Sequence, residues 1–285
     1  MRLQKIFLVV FFLFFSYSSY PWGQTGHRVV GGLAQKHLSS KAKKKVSEIL
    51  NGYSLADVST WMDEIKSEKT PNYRSMYNWH FQDMQDLQSW NPEVFYADSG
   101  AWPRNLYESL VYVIGKLRNH GQDDHFNQNV YLRMLVHLVA DAHQPLHVGN
   151  GLDLGGNRCY VKWFYSKWPT TLHAVWDSKI IDSTKYSYTE YVDYLDHVDT
   201  KTKQSWMQDD IQVWLKESRK LHTQIYPQKS STQDRLYCSK DRKMIQDKDI
   251  PVLSYAYIYQ MRPIVDLRLQ QAGIRLAAVI NSIFS

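Results

Sequence analysis

The run LVHLVADAHQPLH, residues 135–147, places the tightest limit on how this chain folds. On a helix His137 and Asp141 lie four residues apart and point to one face. Leu135, Val136, Leu138, Val139 and Ala140 surround them, so the helix is buried around much of its circumference. A carboxylate buried without a cation is costly. Metal coordination offsets that cost, and imidazole with carboxylate is a ligand set that zinc accepts. Taken alone, the pair also reads as a simple hydrogen-bonded i,i+4 contact. Pro145 breaks the helix, which lets His147 approach from another direction.

The same residue types recur at three other places. HAVWD repeats the four-residue spacing with His173 and Asp177, WMDEIK carries Asp63, and NWHFQD carries His80 and Asp83. Singly, Asp63 reads as an exposed helix acid and His80 as a packed histidine beside Trp79. Two His-x3-Asp pairs together make a cluster of several metal ions a coherent expectation.

Helical periodicity dominates the rest of the chain. It predicts helices over 27–38, 40–50, 55–67, 104–119, 127–142, 171–182, 187–199, 204–225 and 254–284, with Ser39 capping the second. Strand character is confined to MYNWHF (76–81) and RCYVKWFY (158–165). Pro145, Gly149-Asn150-Gly151 and Gly155-Gly156-Asn157 predict a long irregular loop after the fifth helix. The expected class is therefore mostly α, with a short β-hairpin or strand segment and long loops. KAKKK (41–45) reads as a solvated helix face. No linker or repeat divides residues 22–285, which are expected to form one domain.

Residues 1–21 have the order of parts of a signal peptide: Arg2 and Lys5, an apolar run from Ile6 to Phe15, then Ser16 to Ser19. The apolar run is too short to span a bilayer, which takes roughly 20 residues. The protein is thus expected to be secreted or periplasmic. Pro21 is an unfavourable residue before a cut at Trp22, so cleavage after Ser18 or Ser19 with later trimming is the other route. Lys and Arg number 34 against 28 Asp and Glu, a mild excess that suits an anionic substrate and excludes a protein that coats duplexes through a dense basic stripe. An exported chain permits a disulfide between its two cysteines, Cys159 and Cys238, without requiring one.

The ordered set WGQTGH, WMDE, WHFQD, HLVAD with HQPLH, GGN and HAVWD resembles the S1/P1 family of zinc-dependent nucleases, and QQAGIRLAAVIN (270–281) is similar to that family's closing helix. The resemblance implies the phospholipase C/P1 nuclease fold, a single chain acting as a monomer, and three zinc ions. In that family the mature chain begins at the tryptophan, whose α-amine and carbonyl bind zinc. It implies Asp63, His80, His137 and Asp141 around one ion, His147, His173 and Asp177 around a second, and Trp22, His27 and a bridging Asp141 around the third.

The resemblance further implies that Asp83 orients or activates the attacking water and that Phe81 stacks on the base 5′ to the cut. Stacking is tolerant of sequence and demands an unstacked base, hence single strands of DNA or RNA. Lys66 stands where the family often has arginine; a lysine there gives charge to the transition state without a bidentate fork. The implied reaction is endonucleolytic phosphodiester hydrolysis leaving 5′-phosphates, with 3′-nucleotides as additional substrates. Two alternatives stand beside it. A zinc-dependent phospholipase C shares the fold, but its first histidine stands farther from the tryptophan and its last pair ends in glutamate, against Trp22-x4-His27 and Asp177 here. An inactive exported zinc-binding protein would have no use for Asp83 beside an intact ligand set.

Overall fold

The computed structural model describes residues 22–68, 71–96, 100–119, 126–227 and 236–284. The proposed leader, 1–21, and two of the histidines, His120 and His125, lie outside them. From the N-terminal side come α1 (Gln24–Lys36), α2 (Ser40–Ile49), α3 (Leu55–Val58), α4 (Trp61–Glu64), α5 (Pro71–Ser75), α6 (Leu106–Arg118) and α7 (Gln128–His143). There follow α8 (Leu172–Ala174), α9 (Ile180–Asp182), α10 (Tyr188–Leu195), α11 (Thr200–Met207), α12 (Ile211–Lys220), α13 (His222–Ile225) and α14 (Tyr255–Phe284).

Helix starts follow from local chemistry. The Ser39 hydroxyl accepts from the Ala42 N–H, as its position predicts, Ser54 and Ser187 form capping boxes with Asp57 and Glu190, and Asn127 caps α7 through Val130 N–H. The lysines of 41–45 are exposed.

Helix α7 is the centre of the molecule. Every residue from Met134 to His143 is buried, because α1, α4, α6, α12 and α14 all pack on it. Helix α1 also crosses α14, where a Cβ on Gly273 would stand 2.5 Å from the Leu33 Cβ. Only a glycine lets the two backbones approach this closely.

The β structure is small: β1 (Gln82–Asp83) pairs in parallel with β2 (Val148–Gly149), and β3 (Tyr160–Trp163) lies between β4 (Thr170–Thr171) and β5 (Val252–Leu253). The strand expected at 76–81 is not one. Met76–His80 forms a 3-10 turn, and strand pairing begins only at Gln82. The aromatic composition that suggests a strand instead serves packing, with Trp79 fully buried and its indole N–H donating to Pro103 O at 2.9 Å. The expected 55–67 helix is broken into α3, α4 and a 3-10 turn, and 204–225 into parts of α11, α12 and α13.

Cys159 and Cys238 form a disulfide, flanked by Tyr160 N–H to Tyr237 O and Ser239 N–H to Arg158 O bonds of 2.8 and 2.9 Å. Among the described residues no helix is long and apolar enough to cross a membrane.

Candidate metal centre

Asp141 sits near the C-terminal end of α7 with no exposed surface. Histidines from three other segments, and His137 from α7 itself, converge on it. The His80 Nδ1 lies 2.9 Å from one carboxylate oxygen, and His137 Nε2 lies 3.3 Å from the same oxygen. His27 Nε2, from α1, is 3.5 Å from the other oxygen, and His147 Nδ1 is 3.8 Å from it. On one flank His137 Nε2 is 3.7 Å from Asp63 Oδ1. On the other, His147 Nε2 is 3.8 Å from Asp177 Oδ1, and His173 Nε2 is 3.2 Å from Asp177 Oδ2.

Three sets of donor atoms are each close enough to share an ion: Asp63, His80 and His137; His147, His173 and Asp177; His27, His137 and Asp141. The second holds the three residues expected together from the sequence, and the first holds three of the four expected together, without Asp141. The third joins His27 to Asp141 and adds His137, whose ring stacks on that of His27 with centroids 3.9 Å apart. Trp22 is buried next to this set: its indole N–H donates to Ala140 O at 2.8 Å, and the Gly23 N–H donates to Asp177 O. Trp22 is thereby tied to the backbone next to Asp141, and its neighbour Gly23 to the backbone of Asp177.

The donor chemistry fits cations. Asp63 Oδ2, Asp141 Oδ1, His147 Nε2 and Asp177 Oδ2 are buried without a hydrogen-bond partner among the described residues. Such atoms are expensive to bury unless a ligand takes them up. Protonation points the same way. Burial, with Lys66 nearby, pushes His80 down to about 3, and burial beside His137 holds His27 well below its ordinary value. Both are neutral imidazoles, the form that binds metal. For His137 and His147 burial also acts downward, but the carboxylates of Asp141 with Asp63 or Asp177 outweigh it and raise both. A bound cation competes directly with those protons.

Backbone carbonyls aim the rings. His137 Nδ1 donates to Ser59 O at 2.8 Å, His147 Nδ1 to His80 O at 2.7 Å and His173 Nδ1 to Gly155 O at 2.7 Å, leaving Nε2 to face the cluster. Gly155 has φ +58°, and a Cβ there would fall 2.1 Å from Leu146 O. Asn157, in the same GGN run, has its amide on Leu154 O at 3.1 Å. Asp177 lies in a single π turn, Val175–Lys179, inside the α8–α9 segment, a distortion frequent at functional sites.

Gln144 is a residue beside the cluster that spacing alone does not single out. It is fully buried, its amide donates to Asp177 Oδ1, and its oxygen accepts from Leu146 N–H at 2.6 Å. The only available signal is its place within HQPLH. Gly149 is a second such residue, since a Cβ there would stand 2.6 Å from Asp83 Oδ1. Asp83 is exposed on β1 and paired with Gly149. Lys66 Nζ contacts Asp63 Oδ1 at 2.6 Å. Phe81 is 37% exposed and meets Tyr77 edge-on, centroids 5.7 Å apart.

His143 and His222 lie apart from this set: the first holds Val139 O and accepts from Arg275, the second donates to Pro145 O. His37 pairs with Asp196 at 2.8 Å.

The sequence model of a family described as S1/P1 Nuclease matches residues 22–285. Endonuclease 5 of Arabidopsis thaliana is 31% identical over 93% of this chain and 90% of its own length. Endonuclease 2 of the same plant is 28% identical over 97% and 95%, and Nuclease S1 of Aspergillus oryzae 28% over 94% and 93%.

Proposed function

The chain belongs to the S1/P1 nuclease family, whose members are zinc-dependent, and we propose that it is an exported endonuclease cutting single-stranded DNA and RNA to 5′-phosphorylated products, with 3′-nucleotides as further substrates. The observation that carries this reading is the convergence of His27, Asp63, His80, His137, His147, His173 and Asp177 around buried Asp141, with four ligand atoms there that have no hydrogen-bond partner among the described residues.

In this reading Asp63, His80, His137 and Asp141 hold one zinc, His147, His173 and Asp177 a second, and Trp22, His27 and Asp141 a third. Trp22 contributes its α-amine and carbonyl once residues 1–21 have been removed. Zinc supplies Lewis acidity, easing deprotonation of water and absorbing charge on phosphate oxygens. The exposed Asp83 carboxylate accepts the proton of the attacking water. As the new P–O bond forms, the bond to the 3′ oxygen breaks, leaving a 5′-phosphate and a 3′-hydroxyl. Lys66, held at the edge of the cluster by Asp63, places its charge against the phosphate in the transition state. Phe81 offers its face to the base 5′ to the cut, a contact worth roughly 1–3 kcal/mol that a stacked duplex cannot make. The leader and the disulfide support export, and the chain acts as a monomer.

The test is a rate comparison on single-stranded DNA, RNA and phosphatidylcholine vesicles with the zinc-loaded protein. Oligonucleotides with new 5′-phosphates are expected, lost on chelation and restored by zinc. Turnover of the lipid alone contradicts the reading.

A further inference from the structure

Lined by His80 and by Tyr77, the ring that also meets Phe81, a recess of about 390 Å³ is built from α4 and the α5 region. That is within the roughly 300–1,000 Å³ of small-molecule sites. Its floor is apolar, with Met62 and Met76 buried. Its walls are Tyr73, Tyr77, Lys66 and Arg74. Tyr73 is braced from behind by Trp61 and Phe126, whereas Tyr77 is 65% exposed.

The two cations differ in their partners. Lys66 contacts Asp63, a member of the donor cluster. Arg74 is exposed and has no carboxylate partner among the described residues. Of the two arginines lining a cavity of about 590 Å³ elsewhere, Arg118 and Arg275, the second is neutralised by Asp209 and Glu217. A guanidinium without a carboxylate partner among the described residues, lining one recess with two tyrosines, matches a phosphate with an unstacked base attached: the fork takes the phosphate oxygens and a ring takes the base.

We propose that this recess is a subsite for a flanking nucleotide of the substrate strand, with Arg74 on that nucleotide's phosphate and Tyr77 on its base. The subsite rests on the nuclease reading. It makes the enzyme favour strands over the smallest cleavable unit, because a dinucleoside monophosphate has only the scissile phosphate and nothing to offer Arg74.

The experiment compares kcat/KM of the zinc-loaded enzyme for a dinucleoside monophosphate and for a tetranucleotide of the same base. The wild type should favour the tetranucleotide. Arg74→Ala should lower the tetranucleotide-to-dinucleotide ratio about tenfold, chiefly through the tetranucleotide KM, with unchanged zinc content. Arg74→Lys should lower the ratio less, and Tyr77→Ala should lower it by stacking loss. A ratio equal to that of the wild type in both Arg74→Ala and Tyr77→Ala overturns the subsite and leaves the nuclease reading standing. Cleavage of neither substrate by the wild type removes both.

Discussion

Asp141 concentrates the chemistry of this protein in one side chain. It is buried on a helix that has no other reason to carry a charge, and four histidine rings face its two oxygens. The pairs His137–Asp141 and His173–Asp177 were legible in the sequence because their four-residue spacing has a geometric meaning, whereas Asp63, His80 and His27 stood out only through the ordered motifs that carry the family resemblance. The groups that aim them were not legible. The carbonyls of Ser59, His80 and Gly155 carry no side-chain signature, and the role of Gly149 is room for Asp83 rather than any group of its own. At this scale Asp83→Asn should reduce hydrolysis by about 10²–10⁴-fold, the ordinary contribution of a positioned acid–base group, with zinc content unchanged; steady-state kinetics beside metal analysis check it, and full activity would remove Asp83 from its role. Gln144→Leu should leave Asp177 unsupported and weaken zinc binding by about 10–100-fold, as loss of a supporting hydrogen bond does elsewhere. Titration against a competing chelator reads this directly, and wild-type affinity would show Gln144 to be only a packing residue.

Long elements followed from period, short ones did not. The expected 127–142 and 254–284 helices correspond to α7 and α14 within a residue at either end. The 3-10 turn at Met76–His80 and the π turn at Val175–Lys179 depend on packing and on the site, not on local propensity. How α12 meets α14 was likewise hidden: Glu217 binds both Arg268 and Arg275, which are buried on the long helix. Burial alone raises the Glu217 carboxyl, but the Arg275 hydrogen bond and the charges of both arginines outweigh it and hold it below its ordinary value. A carboxyl depressed in the folded state stabilises above its unfolded pKa of about 4.3, and that contribution is lost as pH falls through the lower folded value. Glu217→Ala should therefore cost about 2 kcal/mol at neutral pH, allowing for partial solvent screening. The gap from wild type should close as pH drops below about 4. Thermal denaturation across that range checks it, and a gap independent of pH would contradict the linkage.

At the scale of the whole molecule, the helices form a scaffold around α7, and the disulfide ties the irregular strand region to the loop before α14. It spans 79 residues, so reduction or Cys238→Ser should destabilise the chain by about 4 kcal/mol on the loop-entropy account. Denaturant unfolding with and without reductant reads this; coincident midpoints would contradict it. The pairing itself was open in the sequence because two cysteines far apart in the chain fix no geometry, whereas the fold brings Arg158–Tyr160 alongside Tyr237–Ser239. Processing, metal loading and activity meet at Trp22, buried against the backbone that carries Asp141 and Asp177. The most direct measurement is native mass spectrometry of the secreted protein, which reads its first residue and its zinc content together. A chain starting at Trp22 with three zinc ions is the predicted result; an active chain that keeps residues before Trp22, or one fully active with fewer than three, contradicts it.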